Sequence, residues 1–159
     1  MPQLSKALQE KLAAANGGVV PTLRITPPDI RQGGSFVAHS LARACMTLAA
    51  VNDIFSTCFV GAQGAEAALK AILHRHGVSV EYLRNRNKFG HDLAKLWDAA
   101  RVKHPPLGDF PDWLEMLAGP HVEFQLRYAD KYHGMSYPGA MKVAEGMREL
   151  VAHMDQALS

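Results

Sequence analysis

A run of small residues that carries a single acid constrains the fold of this chain more than any other feature of its sequence. The segment Phe59–Leu73 reads FVGAQGAEAALKAIL, with Glu66 between alanines. A helix face made of glycine and alanine lets a second helix approach closely, and a lone acid on a tightly packed face is costly unless a partner satisfies it. The segment therefore predicts a closely packed helix in which Glu66 is hydrogen-bonded. Lys70, one turn later, is one expected partner, and Arg127 and His91 are two others from elsewhere in the chain.

The first 35 residues differ in composition from the rest of the chain. Near the N-terminus, leucines repeat at helical spacing until a glycine pair ends the helix. Residues 19–34 hold three prolines and two further glycines, which predicts an extended arm because proline breaks helices. From Ser35, in the position of an N-cap, helical periodicity resumes. We therefore expect an N-terminal helix and arm over residues 1–35 and a helical domain over residues 36–159.

Capping residues and apolar periodicity divide the second part into five helices separated by short connections. The helix around Glu66 is expected to end at Gly77, and Gly119-Pro120 is expected to break the fourth helix. Residues 121–133 begin with a strand-like alternation, which an irregular loop fits as well. With so little strand signal, the sequence predicts an all-α, antiparallel up-and-down bundle of four to five core helices. The expected helix starts are Ser35, Asp53, Asp92, Phe110 and Pro138.

The composition favours a soluble protein of one globular domain. The chain has 159 residues, of which 48% are hydrophobic and 20% are charged. Its net charge of +2 is too small to indicate nucleic-acid binding by itself. No apolar run reaches the roughly 18 residues that a membrane span requires, and the N-terminus does not follow the pattern of a signal peptide. We therefore expect a cytoplasmic protein.

Cysteine usage and short motifs give no indication of a metal or a cofactor. Cys45 and Cys58 both fall in apolar helical stretches, where buried thiols are expected rather than a disulfide or a metal site. The sequence contains no CxxC, no HExxH and no glycine-rich phosphate loop. The expectation from the sequence is therefore a protein with no metal site and no cofactor.

Three motifs occur in the order and approximate spacing seen in one family of helical domains. They are the small-residue block around Glu66, the helix start His91-Asp92-Leu93, and Arg127-Tyr128-Ala129-Asp130 before the last helix. Together they resemble the HEPN family (higher eukaryotes and prokaryotes nucleotide-binding), in which proline is usual at the position of Ala129. The resemblance extends over residues 36–157.

The resemblance implies a helical bundle that often forms a dimer. Members of the family include partners of small nucleotidyltransferases, RNA-cleaving toxins and defence nucleases, and domains with no known activity. The leading hypothesis is therefore a non-catalytic binding module for a nucleotide or a nucleic acid. It would act as a homodimer or with a nucleotidyltransferase partner, in a toxin–antitoxin or defence setting; a structural protein-interaction domain is a further alternative. A polar site, either ligand-binding or structural, is expected from Glu66, Lys70, Asp92, Arg127 and Tyr128.

The main alternative is a metal-independent ribonuclease. Nuclease members of the family carry an arginine followed, after four to six residues, by a histidine, and two such pairs usually meet across a dimer. The histidine acts as general acid or base on the ribose 2′-hydroxyl or the leaving oxygen, while the arginine holds the scissile phosphate. Arg86 and His91 fit this spacing as the catalytic pair, but three other Arg–His pairs in the chain fit it too. In non-catalytic members the histidine at the position of His91 pins the start of a helix.

The connector before His91 concentrates basic residues. Arg84, Arg86 and Lys88 lie within five residues of one another. Such a cluster contacts phosphate groups in nucleic-acid-binding proteins, whereas in other proteins it is simply a solvated loop. The sequence leaves both interpretations open, and we predict phosphate contacts for these three side chains.

Overall fold

The structure, a computed structural model, describes residues 30–123 and 136–159, with side chains from residue 34 onward. Within these ranges the chain forms six α-helices and one 3₁₀ turn, with no strand, and the helices pack as a bundle. The predicted all-α class is therefore confirmed. None of the helices in the described parts of the chain combines the length and the apolar character that a membrane span requires. The elements are α1 (Ile30–Ala50), α2 (Ile54–Arg75), α3 (Val80–Arg84), α4 (Leu93–Lys103), the 3₁₀ turn (Pro105–Leu107), α5 (Asp112–Val122) and α6 (Ala140–Leu158).

Helix α2, which carries the small-residue run, lies at the centre of the bundle and contacts α1, α4, α5 and α6. Its glycines allow the close approach that the sequence predicted. A Cβ atom on Gly64 would lie 2.8 Å from Met147 Cε, and a Cβ on Gly61 would collide with Val143 Cγ1. Because neither collision arises with glycine, α6 packs directly against the backbone of α2.

The two ends of α2 and the start of α4 lie close to their predicted positions, and capping residues stabilise each of them. The Asp53 side chain accepts a hydrogen bond from the backbone N–H of Ser56 at 3.0 Å, before the first turn of α2. Gly77 follows α2 with a φ of +90°, a conformation that favours glycine. The Asp92 side chain accepts from the backbone N–H of Lys95 at 3.1 Å and so caps α4.

The predicted start of the first bundle helix is wrong. Helix α1 begins at Ile30, so Ser35 lies inside it, and residues 30–34 are helical rather than part of an extended arm. A Cβ on Gly34 would lie only 3.3 Å from the Cβ of Ala71; close packing on α2 therefore offsets the helix-weakening effect of glycine. The remainder of the predicted arm and the N-terminal helix lie outside the described residues.

The predicted break at Gly119-Pro120 is also wrong, because α5 continues through Pro120 to Val122. The residue before a proline is normally driven out of the helical conformation by contacts between its Cβ and the proline ring. Gly119 has no Cβ to meet the Pro120 ring, so this obstacle is absent and the helix passes this point. The strand-like alternation predicted from residue 121 is contradicted at His121 and Val122, which are helical, and its later residues lie outside the described ranges.

Other departures concern short segments. The connector between α2 and α4 contains the five-residue helix α3, which apolar periodicity could not reveal. The last helix begins at Ala140, two residues after the predicted start at Pro138. Its predicted apolar stripe is confirmed as buried: Val143, Met147, Leu150, Val151 and Met154.

Candidate functional site

The polar centre of the bundle is the carboxylate of Glu66, whose side chain is only 12% exposed. Its Oε1 atom accepts a hydrogen bond from Lys70 Nζ at 2.7 Å. Its Oε2 atom lies 2.9 Å from His91 Nδ1 and 2.7 Å from His121 Nε2. Glu66 is therefore satisfied by three side chains at once, including the two partners expected at Lys70 and His91. We call Glu66, Lys70, His91 and His121 the Glu66 cluster.

Three separate elements bring the Glu66 cluster together. Lys70 follows Glu66 by one turn of α2, and its Nζ also donates to the backbone carbonyl of Gly90 at 2.6 Å. Gly90 has a φ of +50°, and a Cβ there would lie 3.1 Å from Arg86 Cα, so this tight turn requires glycine. The turn delivers His91 to the carboxylate immediately before Asp92 caps α4. Lys70 therefore links Glu66 to the connector before α4 through hydrogen bonds to both.

His121 is the member of the Glu66 cluster that the sequence analysis missed. It lies in the last turn of α5 and is 3% exposed. It is 55 residues from Glu66 along the chain, and the helix break predicted before it placed it in a segment expected to be a strand or an irregular loop. The His91 and His121 rings stand nearly perpendicular, at 84°, with centroids 5.9 Å apart. The one available signal was a histidine spaced from the apolar Trp113, Leu114 and Leu117 at helical intervals.

The Glu66 carboxyl is ionised at neutral pH. Burial alone would raise its pKa, but the hydrogen bonds from His121, Lys70 and His91, in that order, together with the Lys70 charge, lower the pKa to about 2. A buried negative charge is thus compensated by N–H donors from three directions. In addition, one donor atom from each of Glu66, His91 and His121 lies within 4.8 Å of the others, a grouping compatible with a metal ion.

The basic connector lies at the surface beside this cluster. Arg84, Arg86 and Lys88 are all exposed, and Tyr82 is 45% exposed. Lys88 Nζ lies 5.6 Å from the centroid of the Tyr82 ring, and that ring packs edge-on against Phe89 at 5.6 Å. We call Tyr82, Arg84, Arg86 and Lys88 the basic surface.

The predicted catalytic pair is divided between these two features. Arg86 belongs to the exposed basic surface, whereas the Nδ1 atom of His91 faces Glu66 within the same chain. Asp92 acts as a helix cap rather than as a member of the Glu66 cluster. Arg127 and Tyr128, the remaining residues of the predicted polar site, lie outside the described residues.

A second histidine pair lies between α6 and the end of α4. His153, which also fits the Arg–His spacing after Arg148, faces His104 with ring centroids 6.0 Å apart. Burial, followed by the nearby His153 and His76, lowers the pKa of His104. Arg148 is exposed, whereas the His153 ring is partly buried. The two residues of this Arg–His pair therefore lie in different environments.

Comparison with protein-family models, with curated proteins and with solved structures found no match to this chain. The class that the fold and the site define is an all-helical bundle with a buried carboxylate–lysine–histidine cluster beside a basic, aromatic surface. Membership of the HEPN family stays a prediction from the sequence motifs.

Proposed function

We propose that this chain is a HEPN-like, non-catalytic module that binds a nucleotide or single-stranded nucleic acid through the basic surface. The observation that carries the proposal is the exposure of Arg84, Arg86 and Lys88 together on one short connector. Three cations in such proximity attract phosphate groups, and part of the binding free energy comes from released counterions.

An exposed aromatic ring among the cations supports the same proposal. Proteins that bind single strands without sequence preference combine a basic groove with aromatic side chains on which bases stack. Tyr82 offers such a ring, and its edge-on contact with Phe89 restricts its orientation. Lys88 lies over the Tyr82 ring, so a phosphate on Lys88 and a base on Tyr82 would belong to neighbouring parts of one ligand.

The hydrogen bonding of His91 supports a non-catalytic role. Its Nδ1 atom is held by Glu66 at 2.9 Å, and Lys70 ties Glu66 to the carbonyl that precedes His91. These contacts fix the start of α4, which is the structural role expected of this histidine. The ribonuclease alternative instead requires Arg86 and His91 to meet their copies across a dimer, with the ring moving a proton at the 2′-hydroxyl.

Binding is tested by fluorescence polarisation with a labelled single-stranded RNA and, separately, with a fluorescent ATP analogue, both in EDTA. The test variant is Arg86→Ala/Lys88→Ala, and the matched control is Lys103→Ala/Arg148→Ala, which removes two exposed cations elsewhere. We expect the test variant to bind RNA at least about tenfold more weakly and to reduce the salt dependence by about two counterions. Equal weakening in both variants would refute the basic surface as the binding site.

The catalytic question needs a separate assay. The labelled RNA is incubated with the protein in EDTA, and the products are resolved on a gel beside those of Arg86→Ala/His91→Ala. We expect no cleavage by either protein. Cleavage by the parent that is absent from the variant would overturn the non-catalytic proposal in favour of the ribonuclease.

The partner part of the proposal is a homodimer, or a complex with a nucleotidyltransferase of the toxin–antitoxin or defence kind. Support comes from apolar side chains on α1 and at the α1–α2 connection: Phe36 is 70% exposed and Val51 is 73% exposed. Exposed apolar groups mark protein contacts; these two lie about 22 Å apart along α1 at 1.5 Å per residue, so an interface that runs along this helix would include both. They also suit the alternative of a structural interaction domain. Light scattering after gel filtration should give a dimer for the parent and a monomer for Phe36→Ser/Val51→Ser. A monomeric parent would remove the homodimer from the proposal.

A further inference from the structure

We propose that Glu66, His91 and His121 form a binding site for one divalent transition-metal ion, with Zn²⁺ as the best match to the donor set. The site is separate from the basic surface and does not depend on nucleotide binding. It uses two imidazole nitrogens and one carboxylate oxygen, the combination found in zinc sites that keep an open position.

The three donors converge from separate parts of the fold. Glu66 comes from the centre of α2, His91 from the turn before α4, and His121 from the last turn of α5. His91 and His121 are 25 and 55 residues from Glu66 along the chain. Nevertheless, one donor atom of each of the three residues lies within 4.8 Å of the other two. Helix packing and the turn at Gly90 hold this convergence, so the three donors are already gathered before any ion arrives and need only small shifts to bind it.

The distances are close to those of a metal site. In a tetrahedral zinc site with metal–ligand distances of about 2.0–2.1 Å, neighbouring donor atoms lie about 3.3 Å apart. The two histidine nitrogens lie 2.9 and 2.7 Å from Glu66 Oε2, so each has to withdraw by about half an ångström to admit the ion. Both rings would bind as neutral imidazoles, with the N–H on the ring nitrogen that does not contact the ion.

Lys70 occupies the other oxygen of the carboxylate. Its Nζ donates to Oε1 at 2.7 Å and to the Gly90 carbonyl at 2.6 Å, which leaves Oε2 as the metal-binding atom. Hydrogen bonds of this kind orient the ligands of metal sites. The positive charge of Lys70 opposes the ion, and for this reason Lys70→Gln, which retains a donor, is expected to bind the ion more tightly than the parent.

Burial of the three residues defines where the ion enters and what it meets. His121 is almost fully buried and the Glu66 side chain is 12% exposed, whereas the His91 side chain is 29% exposed. Entry is therefore from the His91 side. Three protein donors leave a fourth position for water or another small ligand, and nitrogen donors select Zn²⁺ or Co²⁺ over Mg²⁺ and Ca²⁺, which prefer oxygen.

The test uses the full-length chain, stripped with EDTA and desalted, and titrated with Zn²⁺ against a chromogenic chelator. We expect one tight equivalent of Zn²⁺, a visible absorption spectrum of four-coordinate Co²⁺, and no competition by Mg²⁺. His91→Gln should weaken Zn²⁺ binding by at least about thirtyfold, because the loss of a ligand costs no less than the roughly 10–100-fold lost with a residue that only supports a ligand. His39→Gln, which changes a histidine paired with Asp155 on α6, is the control and should leave binding unchanged.

Three results would overturn the proposal: no stoichiometric Zn²⁺ binding by the parent, full binding by His91→Gln and His121→Asn, or equal losses in His39→Gln. Circular dichroism of each variant distinguishes loss of the site from loss of the fold, and the parent titration decides the matter if a variant does not fold. RNA binding is measured in EDTA with Arg86 and Lys88 variants, whereas Zn²⁺ binding is measured with His91 and His121 variants. The two proposals are therefore tested independently, and failure of one does not affect the other.

Discussion

Replacement of Glu66 by glutamine removes a buried negative charge without changing the size of the side chain. The carboxylate accepts from Lys70 at one oxygen and from His91 and His121 at the other. A glutamine turned with its oxygen towards Lys70 presents its NH₂ group to both histidine nitrogens, which can accept only if both rings carry their N–H on the other ring nitrogen. The variant should therefore destabilise the fold, because it replaces hydrogen bonds to an ionised carboxylate with weaker neutral ones and requires both histidine tautomers to change.

The pKa of Glu66 gives the magnitude. Burial raises this pKa, but the hydrogen bonds from His121, Lys70 and His91 lower it from 4.5 to about 2. At about 1.4 kcal/mol per pKa unit, that difference corresponds to about 3 kcal/mol of folding free energy. Because the folded-state pKa is the lower one, this stabilisation is complete above about pH 4.5 and is lost as the pH falls through about 2. Glu66→Gln should thus cost about 3 kcal/mol near pH 7 and only about 1 kcal/mol near pH 3.

Urea denaturation in EDTA, followed by circular dichroism at both pH values, measures these differences without a contribution from metal. Glu145→Gln is the matched control because Glu145 is exposed on α6, and it should change the free energy of unfolding by less than about 0.5 kcal/mol. The reasoning would be refuted if Glu66→Gln behaved like Glu145→Gln near pH 7. It would equally be refuted if its cost were the same at both pH values.

Further predictions concern packing, capping and thiol reactivity. Gly146→Ala places a methyl group against the buried Trp113 ring, 2.7 Å from Cδ1, and should destabilise by about 2 kcal/mol in urea even after the gain in helix propensity. Asp92→Ala should lower the free energy of unfolding by about 1 kcal/mol, whereas Asp92→Asn, which keeps a capping oxygen, should lower it much less. Burial raises the pKa of Cys45 to about 12, with a further effect of Cys58, and that of Cys58 to about 11. Ellman's reagent should therefore detect two thiols only after unfolding; rapid reaction of the native protein would contradict this burial.

Local sequence rules were reliable where a helix end depends on its own residues. The caps at Asp53 and Asp92 and the glycine after α2 were predictable because each acts on a neighbouring backbone group. The same rules misplaced the start of α1 and the end of α5. The helix-weakening effect of Gly34 is compensated by its close contact with Ala71 on α2. A rule based on neighbouring residues does not include such contacts between helices.

The requirement that Glu66 be satisfied was determined by the sequence, because an acid on a face of glycine and alanine cannot remain buried without donors. Lys70 was a foreseeable partner by helical spacing, and His91 was one of the two partners expected from elsewhere in the chain. Only the tertiary structure decided that His121 completes the cluster. A contact between residues 55 positions apart depends on how α5 packs against α2, and no local pattern specifies that packing.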